Sequence, residues 1–208
     1  MIPLFVECAG KRVVVFGGGE VAARKAGHFS READVLVVSR TFTPSVKALP
    51  VQLQVLNTRE ANDADLGLLI APAFLVIGAL SDKAENDRIG ALCKEHGVLF
   101  NNADGTPGDV VIPAISTGEF YTIAVSTGSQ SPAVSRFIRQ EIEKSYPALD
   151  AMVLLQHRLR EMLKEGNTTP ETRRRILWEV LRDKTVWTLL SESPERAWER
   201  VKERYLHE

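Results

Sequence analysis

The sequence predicts an α/β protein with a parallel sheet, followed by a small antiparallel hairpin with one helix and then a wholly helical carboxy-terminal part. Short apolar runs alternate with helical stretches through the first half of the chain. After residue 110 that alternation stops, and two β-like runs are followed only by helical patterns with capping signals. We therefore divide the chain into 1–110, 111–146 and 147–208.

Composition excludes several classes of function. The 208 residues carry 26 Lys and Arg against 27 Asp and Glu, a net charge of −1, so no overall field favours nucleic acid or a membrane surface. Cys8 and Cys93 lie far apart and indicate neither a disulfide framework nor a zinc knuckle. The apolar run 66–80 is shorter than the ~20 residues that span a bilayer, and we recognise no secretory signal. We expect a cytoplasmic protein with no nucleic-acid or membrane partner.

The segment 11–25, KRVVVFGGGEVAARK, carries the first functional signal. An apolar strand runs into three glycines, and a helix begins near Glu20. In the fingerprint G-x-G-x-x-A, Gly17 makes the tight turn, Gly19 lets the backbone approach phosphates, and Ala22 lets helix and strand pack closely. The pyrophosphate of a dinucleotide then lies against free N–H groups at the positive end of the helix. The segment predicts a Rossmann-like nucleotide-binding domain.

Further apolar and amphipathic runs continue the α/β pattern. We predict helices over 21–30, 63–69 and 84–96, and strands over 35–38, 52–56, 74–80 and 98–100. An acidic residue at the end of the second strand grips the ribose hydroxyls in classical NAD sites. Here that position reads Ser39-Arg40-Thr41. Arg40 is suited to a 2′-phosphate, which keeps NADP open, although such an arginine is as often a solvated loop residue.

The strand at 98–100 leads into Asn101-Asn102-Ala103-Asp104-Gly105. In an open parallel sheet, ligands bind at the carboxyl ends of the strands. An aspartate before a glycine is often only a turn residue. Because Asp104 lies at the cofactor edge, it is our candidate for a catalytic base.

The next segment predicts an antiparallel hairpin, with strands over 110–116 and 120–126 joined at Thr117-Gly118-Glu119. A hydroxyl-rich turn then leads to a helix from Pro132 to about Lys144, with Ser131 as its N-cap. Its amino terminus and the arginines one turn in suit carboxylate or phosphate groups, although an ordinary capped surface helix explains them equally well. The candidate substrate-binding residues here are Ser126, Thr127, Ser129, Ser131, Arg136 and Arg139.

The last sixty residues read as helical throughout. The run 150–164 is amphipathic, and Thr169-Pro170 and Ser193-Pro194 each place a capping hydroxyl before a proline, which opens a further helix. The histidines show no spacing typical of metal ligands, and we predict no metal site. They are His28, His96, His157 and His207.

Taken together, these motifs resemble one family. The strings GGGEVAARK, FLVIGALSD, NNAD, VIPAI and AVSTGSQSPAVSRFIRQEIE, in this order and spacing, are similar to precorrin-2 dehydrogenases, which include the amino-terminal module of siroheme synthases. The resemblance covers about residues 1–145. It implies NAD-dependent oxidation of precorrin-2 to sirohydrochlorin in siroheme biosynthesis by a homodimer. The hairpin and following helix would form the dimerisation region, and the helical part would close over the substrate.

The resemblance also implies roles for individual residues. Asp104 matches an aspartate that is important in the family and is therefore the predicted catalytic residue. The match at the second strand end favours NAD over NADP, because the family uses NAD without an acidic ribose clamp. The expected cofactor contacts are Gly17, Gly19, Glu20, Val21, Arg40, Thr41, Ala79 and Asp82.

The proposed chemistry agrees with these roles. Dehydrogenation transfers a hydride to nicotinamide and releases a proton, for which a nearby carboxylate is the natural acceptor. Precorrin-2 carries many carboxylates, so Lys25, Arg136 and Arg139 are candidates for holding it. Two alternatives remain open: a bifunctional enzyme that also inserts Fe²⁺ to give siroheme, and a non-catalytic module that senses NAD(P).

Overall fold

The computed structural model describes residues 1–104, 106–128 and 130–206. The chain separates into two compact units, Met1–Ile112 and Pro113–Glu208. The further division near residue 146 stays a prediction. Within the described ranges, no helix combines the length and the apolar character needed to cross a bilayer.

The first unit is a five-stranded parallel sheet with crossover helices. Its elements in chain order are β1 (Arg12–Phe16), α1 (Glu20–Phe29), β2 (Asp34–Ser39), α2 (Pro44–Lys47), β3 (Gln52–Val55), α3 (Asp63–Ile70), β4 (Leu75–Gly78), α4 (Lys83–His96) and β5 (Leu99–Asn102). The strand order is β3-β2-β1-β4-β5. This is the predicted Rossmann-like sheet. The short helix α2 is the one element of the unit that the sequence analysis does not predict.

The strand register aligns the carboxyl ends of the central strands. Phe16 at the end of β1 pairs with Val38 on one side and with Gly78 on the other. Gly78 in turn pairs with Asn102, the last residue of β5. The loops after β1, β2, β4 and β5 therefore leave the sheet at one edge, where ligands bind in open α/β sheets.

The apolar strands are buried on both faces, which explains their continuous hydrophobic runs. Val14 and Phe16 of β1 pack with residues of α3 and α4, whereas Val13 and Val15 pack with the alanines of α1. All four side chains are fully buried. The glycine turn that follows β1 is thus anchored to the best-packed strand of the sheet.

The second unit contains a two-stranded antiparallel hairpin and helices. Its elements are β6 (Ala114–Thr117), β7 (Thr122–Val125), α5 (Pro132–Ser145), α6 (Leu149–Glu165), α7 (Pro170–Arg182), α8 (Lys184–Glu192) and α9 (Pro194–Tyr205). The predicted caps are confirmed, because Ser131, Thr169 and Ser193 each accept a hydrogen bond from a backbone N–H in the first turn of their helix. Helices α6 to α9 share one apolar core.

Two details differ from the prediction. Asp183 divides the helical stretch that begins at Pro170 in two, because it follows the last residue of α7 and its side chain caps α8. The first hairpin strand begins at Ala114 rather than at residue 110. Instead of entering the hairpin, Val110 donates its N–H to Phe100 (3.1 Å) and accepts a hydrogen bond from the side chain of Asn101 (2.6 Å).

Candidate active site

The first two glycines after β1 are fixed by contacts within the protein. Gly17 adopts a φ of +130° and donates its N–H to the carbonyl of Val38 (2.9 Å). A Cβ on Gly17 would collide with the carbonyl group of Ala79, and one on Gly18 would collide with the carbonyl oxygen of Thr41. The turn therefore passes close to the ends of β2 and β4, which leaves no room for a side chain at Gly17 or Gly18.

Gly19 lies in a different environment. No atom lies within 4 Å of the position that its Cβ would take. Gly19 is the N-cap of α1, and the first helical bond runs from the N–H of Ala23 to its carbonyl (2.9 Å). The earlier N–H groups of the helix have no acceptor within it. Open space before unsatisfied donors at the positive helix end fits the pyrophosphate of a dinucleotide.

A cleft of about 610 Å³ opens at this edge of the sheet. It brings together most of the residues that the sequence analysis selected: Gly17, Gly19, Glu20, Val21, Arg40, Thr41, Ala79 and Asp104. The glycine turn and the predicted catalytic carboxylate therefore line one cavity. The lining residues that the sequence analysis missed are Gly18, Ser39, Phe42, Thr43, Leu56, Thr58, Leu80, Ser81 and Ala103.

The residues at the end of β2 line this cleft with hydroxyl groups and a guanidinium group. Ser39, Arg40 and Thr41 all line it, and no carboxylate stands among these three. Thr43 adds a hydroxyl whose oxygen is buried and has no hydrogen-bond partner among the described residues. The hydroxyls and the cation leave this part of the cleft without a negative charge to repel a phosphate.

Asp104 lies in the loop after β5. Its Oδ1 lies 3.2 Å from Nζ of Lys83, and 59% of its side chain is exposed. Its backbone N–H donates to Oδ1 of Asn102 at 3.2 Å. The carboxylate is thus open to a ligand in the cleft, with the exposed cation of Lys83 beside it.

Asp82, a predicted cofactor contact, has a different position. Its side chain caps α4 by accepting from the N–H groups of Ala84 (3.0 Å) and Glu85 (3.4 Å), and it forms an ion pair with Arg59. The hydrogen bond from Arg59 lowers the pKa of Asp82. Asp82 is not among the residues lining the cleft. Its role as a cofactor contact stays a prediction.

Lys25, a predicted substrate contact, extends from α1 toward β5. Its Nζ donates to Oδ1 of Asn101 at 2.7 Å. Burial, with a smaller effect from Arg24, lowers the pKa of Lys25 to about 8. Because Asn101 is itself buried and donates to Val110, the lysine is part of the packing between α1 and the sheet.

The remaining substrate candidates belong to the second unit. The hydroxyls of the turn before α5 bond mainly to nearby main-chain groups: Thr127 accepts from the N–H of Ser131 (3.1 Å), and Ser126 accepts from the N–H of Gly128 (3.2 Å). Ser129 lies outside the described residues. The role of these hydroxyls toward a substrate stays a prediction.

The two arginines of α5 differ in their surroundings. Nη1 of Arg139 donates to both carboxylate oxygens of Glu143, each at 2.7 Å. Arg136 is exposed and has no ion-pair partner among the described residues. In the part of the chain that the structure describes, no group of three or more His, Cys, Asp or Glu is placed to hold a metal ion; His207 lies outside it.

Comparison with known proteins agrees with this geometry. A family model described as "Putative NAD(P)-binding" matches residues 4–114, which is more than half of the chain. A precorrin-2 dehydrogenase of Methanosarcina barkeri is 41% identical over 205 residues, covering 96% of this chain and 91% of that protein. The chain belongs to the precorrin-2 dehydrogenase family. The resemblance seen in the sequence motifs and the prediction of a nicotinamide dinucleotide cofactor are confirmed.

Other members of the precorrin-2 dehydrogenase family and related enzymes extend the comparison. Siroheme synthase 1 of Klebsiella pneumoniae is 35% identical over 181 residues, covering 86% of this chain but only 38% of that enzyme. The solved structure of SirC, a precorrin-2 dehydrogenase, superposes with a TM-score of 0.73 at 20% identity, covering 98% of this chain and 100% of that one. This likeness confirms the predicted fold.

Several residues that contact Asp104 or its loop belong to none of the motifs recognised in the sequence. Lys83, Asn86 and Asp87 of α4 all bond to Asp104 or to its loop. Asn86 is fully buried. A polar residue one turn into an otherwise amphipathic helix, at a position that faces the sheet, indicates a buried polar contact but not which part of the sheet it meets.

Proposed function

We propose that this protein is an NAD-dependent precorrin-2 dehydrogenase, which oxidises precorrin-2 to sirohydrochlorin. The observation that carries the proposal is the single cleft lined by both the glycine turn and Asp104. Family membership supports the same reaction, because the relative that is 41% identical is named for it. The cytoplasmic location expected from the sequence stays a prediction.

The glycine turn and the start of α1 would hold the pyrophosphate of the dinucleotide, and Arg40 and Thr41 would lie at its ribose end. When bound, NAD supplies the acceptor for the hydride. Residues 39–41 include no carboxylate, which matches the family pattern. This favours NAD over NADP only because the family uses NAD without an acidic ribose clamp. A comparison of NAD and NADP as oxidants therefore belongs in the first assay.

Asp104 would accept the proton that the substrate loses. Oxidation of precorrin-2 removes two hydrogens, one as a hydride and one as a proton. A base must therefore lie close to the hydrogen that leaves as a proton. Asp104 lines the cleft, and among the described residues the ion-pair partner of its carboxylate is the exposed side chain of Lys83. Proton transfer to a positioned side chain contributes about 10²–10⁴-fold to a rate.

The substrate contacts are proposed from chemistry. Precorrin-2 carries many carboxylates, and a guanidinium is a bidentate partner for such groups. Arg136 is the better candidate, because Arg139 already pairs with Glu143. The hydroxyls of Ser126, Thr127, Ser129 and Ser131 are proposed to contribute with it, at the amino terminus of α5.

The protein is proposed to act as a homodimer. Val134, Phe137 and Ile138 follow one another at helical spacing on α5, and their side chains are exposed by 46%, 61% and 39%. Apolar stripes of this kind on a helix are typical of interfaces. A second copy of the chain is the partner that the family resemblance favours for this face.

Replacement of Asp104 tests the proposed function. Asp104→Ala and Asp104→Asn are expected to lower kcat by about 10²–10⁴-fold, because neither side chain accepts the proton. Their Kd for NAD, measured by calorimetry, is expected to stay at the wild-type value. Asp65→Asn, which removes an exposed carboxylate on α3, is the matched control. Wild-type turnover by either Asp104 variant would remove this residue from the mechanism.

A further inference from the structure

The ion pair between Lys83 and Asp104 does not fix the position of the catalytic loop. Side-chain exposure is 66% for Lys83 and 59% for Asp104. Exposed pairs of this kind contribute at most about 1 kcal/mol, because water screens them and the long side chains lose entropy. The position of Asp104 must therefore come from contacts of its main chain.

Asn86 provides the first of these contacts. It lies one turn into α4, and its side chain is fully buried. Its Oδ1 accepts from the N–H of Leu80 (3.1 Å), while its Nδ2 donates to the carbonyls of Leu80 (3.0 Å) and Asp104 (3.1 Å). A buried amide is tolerated when its polar atoms are satisfied in this way. One side chain thus joins the loops after β4 and β5, which both line the cleft.

Two glycines make room for this arrangement. A Cβ on Gly78 would lie 3.0 Å from Oδ1 of Asn86, and one on Gly90 would lie 2.7 Å from Cε1 of Phe100. Larger residues at either place would push α4 away from the strand ends. The close approach of α4 is therefore built into the sequence at both the strand and the helix.

Asp87 provides the second set of contacts. Its Oδ1 accepts from the backbone N–H of Thr106 (2.9 Å) and from Nδ2 of Asn102 (3.2 Å). Asn102 in turn donates to the carbonyl of Thr106 (2.8 Å) and accepts from the N–H of Asp104 (3.2 Å). The loop is thus tied to α4 on both sides of Asp104.

We infer that Asn86 and Asp87 are positioning residues for the reaction, holding the main chain of Asp104 so that its carboxylate faces the cleft. The inference rests on the proposed role of Asp104 as the proton acceptor. A displacement of about 1 Å at a reacting group can lower a rate about 10²-fold. Asp87, whose described hydrogen bonds go to Asn102 and Thr106 rather than to the loop after β4, is not expected to contribute to NAD binding.

Asp87 allows a test in which a conservative variant restores the contact. Asp87→Ala removes the acceptor for Thr106 and Asn102, and we expect kcat to fall about 10–100-fold with an unchanged Kd for NAD. Asp87→Asn keeps an oxygen acceptor at the same place and is expected to stay within a few-fold of wild type. Hydrogen exchange of the peptide containing Thr106 should be faster in Asp87→Ala than in wild type, and unchanged in Asp87→Asn. Asp63→Ala, which removes the carboxylate that binds Arg88 of α4, is the control for general effects on the helix.

Asn86→Leu provides the second variant, because leucine has a similar volume and no hydrogen-bonding groups. It is expected to lower kcat and to speed hydrogen exchange in the loops after both β4 and β5. If it fails to fold, the Asp87 pair still decides the question, since Asp87 is only partly buried.

The outcomes separate this inference from the proposed function. Full turnover in Asp104→Ala would overturn the role of Asp104 and this inference with it. An inactive Asp104→Ala together with wild-type kcat in Asp87→Ala would overturn the inference alone. Equal losses in Asp87→Ala and Asp87→Asn would also overturn it, because charge rather than the hydrogen-bond acceptor would then be what matters.

Discussion

Three consecutive glycines follow β1, and the surroundings of the three positions differ. Gly17 has a left-handed backbone conformation, with φ +130°, and no room for a Cβ. Gly18 has no room either, because of the carbonyl of Thr41. Gly19 has open space in front of it. We therefore predict that the fold requires the first two glycines, whereas binding of a dinucleotide requires the third.

A matched pair of variants separates these two requirements. Gly17→Ala is expected to lower the Tm strongly, since the Cβ collides with the backbone of Ala79. Gly19→Ala is expected to lower the Tm only slightly, through a poorer N-cap, while the Kd for NAD rises at least about tenfold, a loss of roughly 1.4 kcal/mol. Thermal unfolding and calorimetric titration with NAD measure the two effects. Unchanged NAD affinity in Gly19→Ala would mean that the pyrophosphate does not bind at this turn.

At the scale of secondary-structure elements, α4 does more than pack against the sheet. Its first two turns carry the cap Asp82, the cation Lys83 and the anchors Asn86 and Asp87. These side chains reach the loops after β4 and β5. The helix thus connects the packing of the sheet to the geometry of the proposed proton acceptor.

Asp82 can be assigned to one of its two possible roles. If it acts only as the cap of α4, Asp82→Ser should keep the helix cap, since serine is an equally good N-cap, and should bind NAD as tightly as wild type. Asp82→Ala should lower the Tm, because the first-turn N–H groups lose their acceptor. A tenfold weaker Kd for NAD in Asp82→Ser, at unchanged Tm, would instead support the cofactor contact predicted from the sequence.

Local signals in the sequence predicted most elements. Buried strands appear as apolar runs, and the Ser-Pro and Thr-Pro pairs before α5, α7 and α9 mark helix starts through chemistry that acts within one turn. The boundary at Asp183 was missed, because an aspartate inside a helical run has no accompanying Gly or Pro. The first hairpin strand was predicted too long, since Val110 bonds with Phe100 and Asn101, which no local pattern reveals.

The candidate site was predictable to the same extent. The glycine turn and Asp104 follow strands, and parallel topology brings strand ends to one edge. Asn86 was not predictable, because helical periodicity identifies the buried face but not which buried residue meets the strand ends. The hydrogen-bond partner of Lys25 was not predictable either, since Lys25 and Asn101 are distant in sequence.

At the scale of the whole molecule, the exposed stripe on α5 bears on assembly. Phe137 is the most exposed of its three apolar residues, at 61%. Phe137→Arg places a charge in the middle of the stripe and is expected to convert the proposed dimer into a monomer with an unchanged helical circular dichroism spectrum. Lys144→Glu, an exposed charge change at the end of the same helix, is the control. Light scattering after size exclusion measures the mass, and a wild-type monomer or a dimeric Phe137→Arg would contradict this interface.

The most direct test of the proposed dehydrogenase activity is an anaerobic assay of the wild-type protein with precorrin-2 and NAD. We predict that one NADH forms for each sirohydrochlorin, as measured by absorbance, and that no product forms when NAD is omitted. A parallel reaction with NADP determines the cofactor preference. If the protein binds NAD but forms neither NADH nor sirohydrochlorin, the dehydrogenase proposal is wrong, and a nucleotide-sensing module becomes the better description.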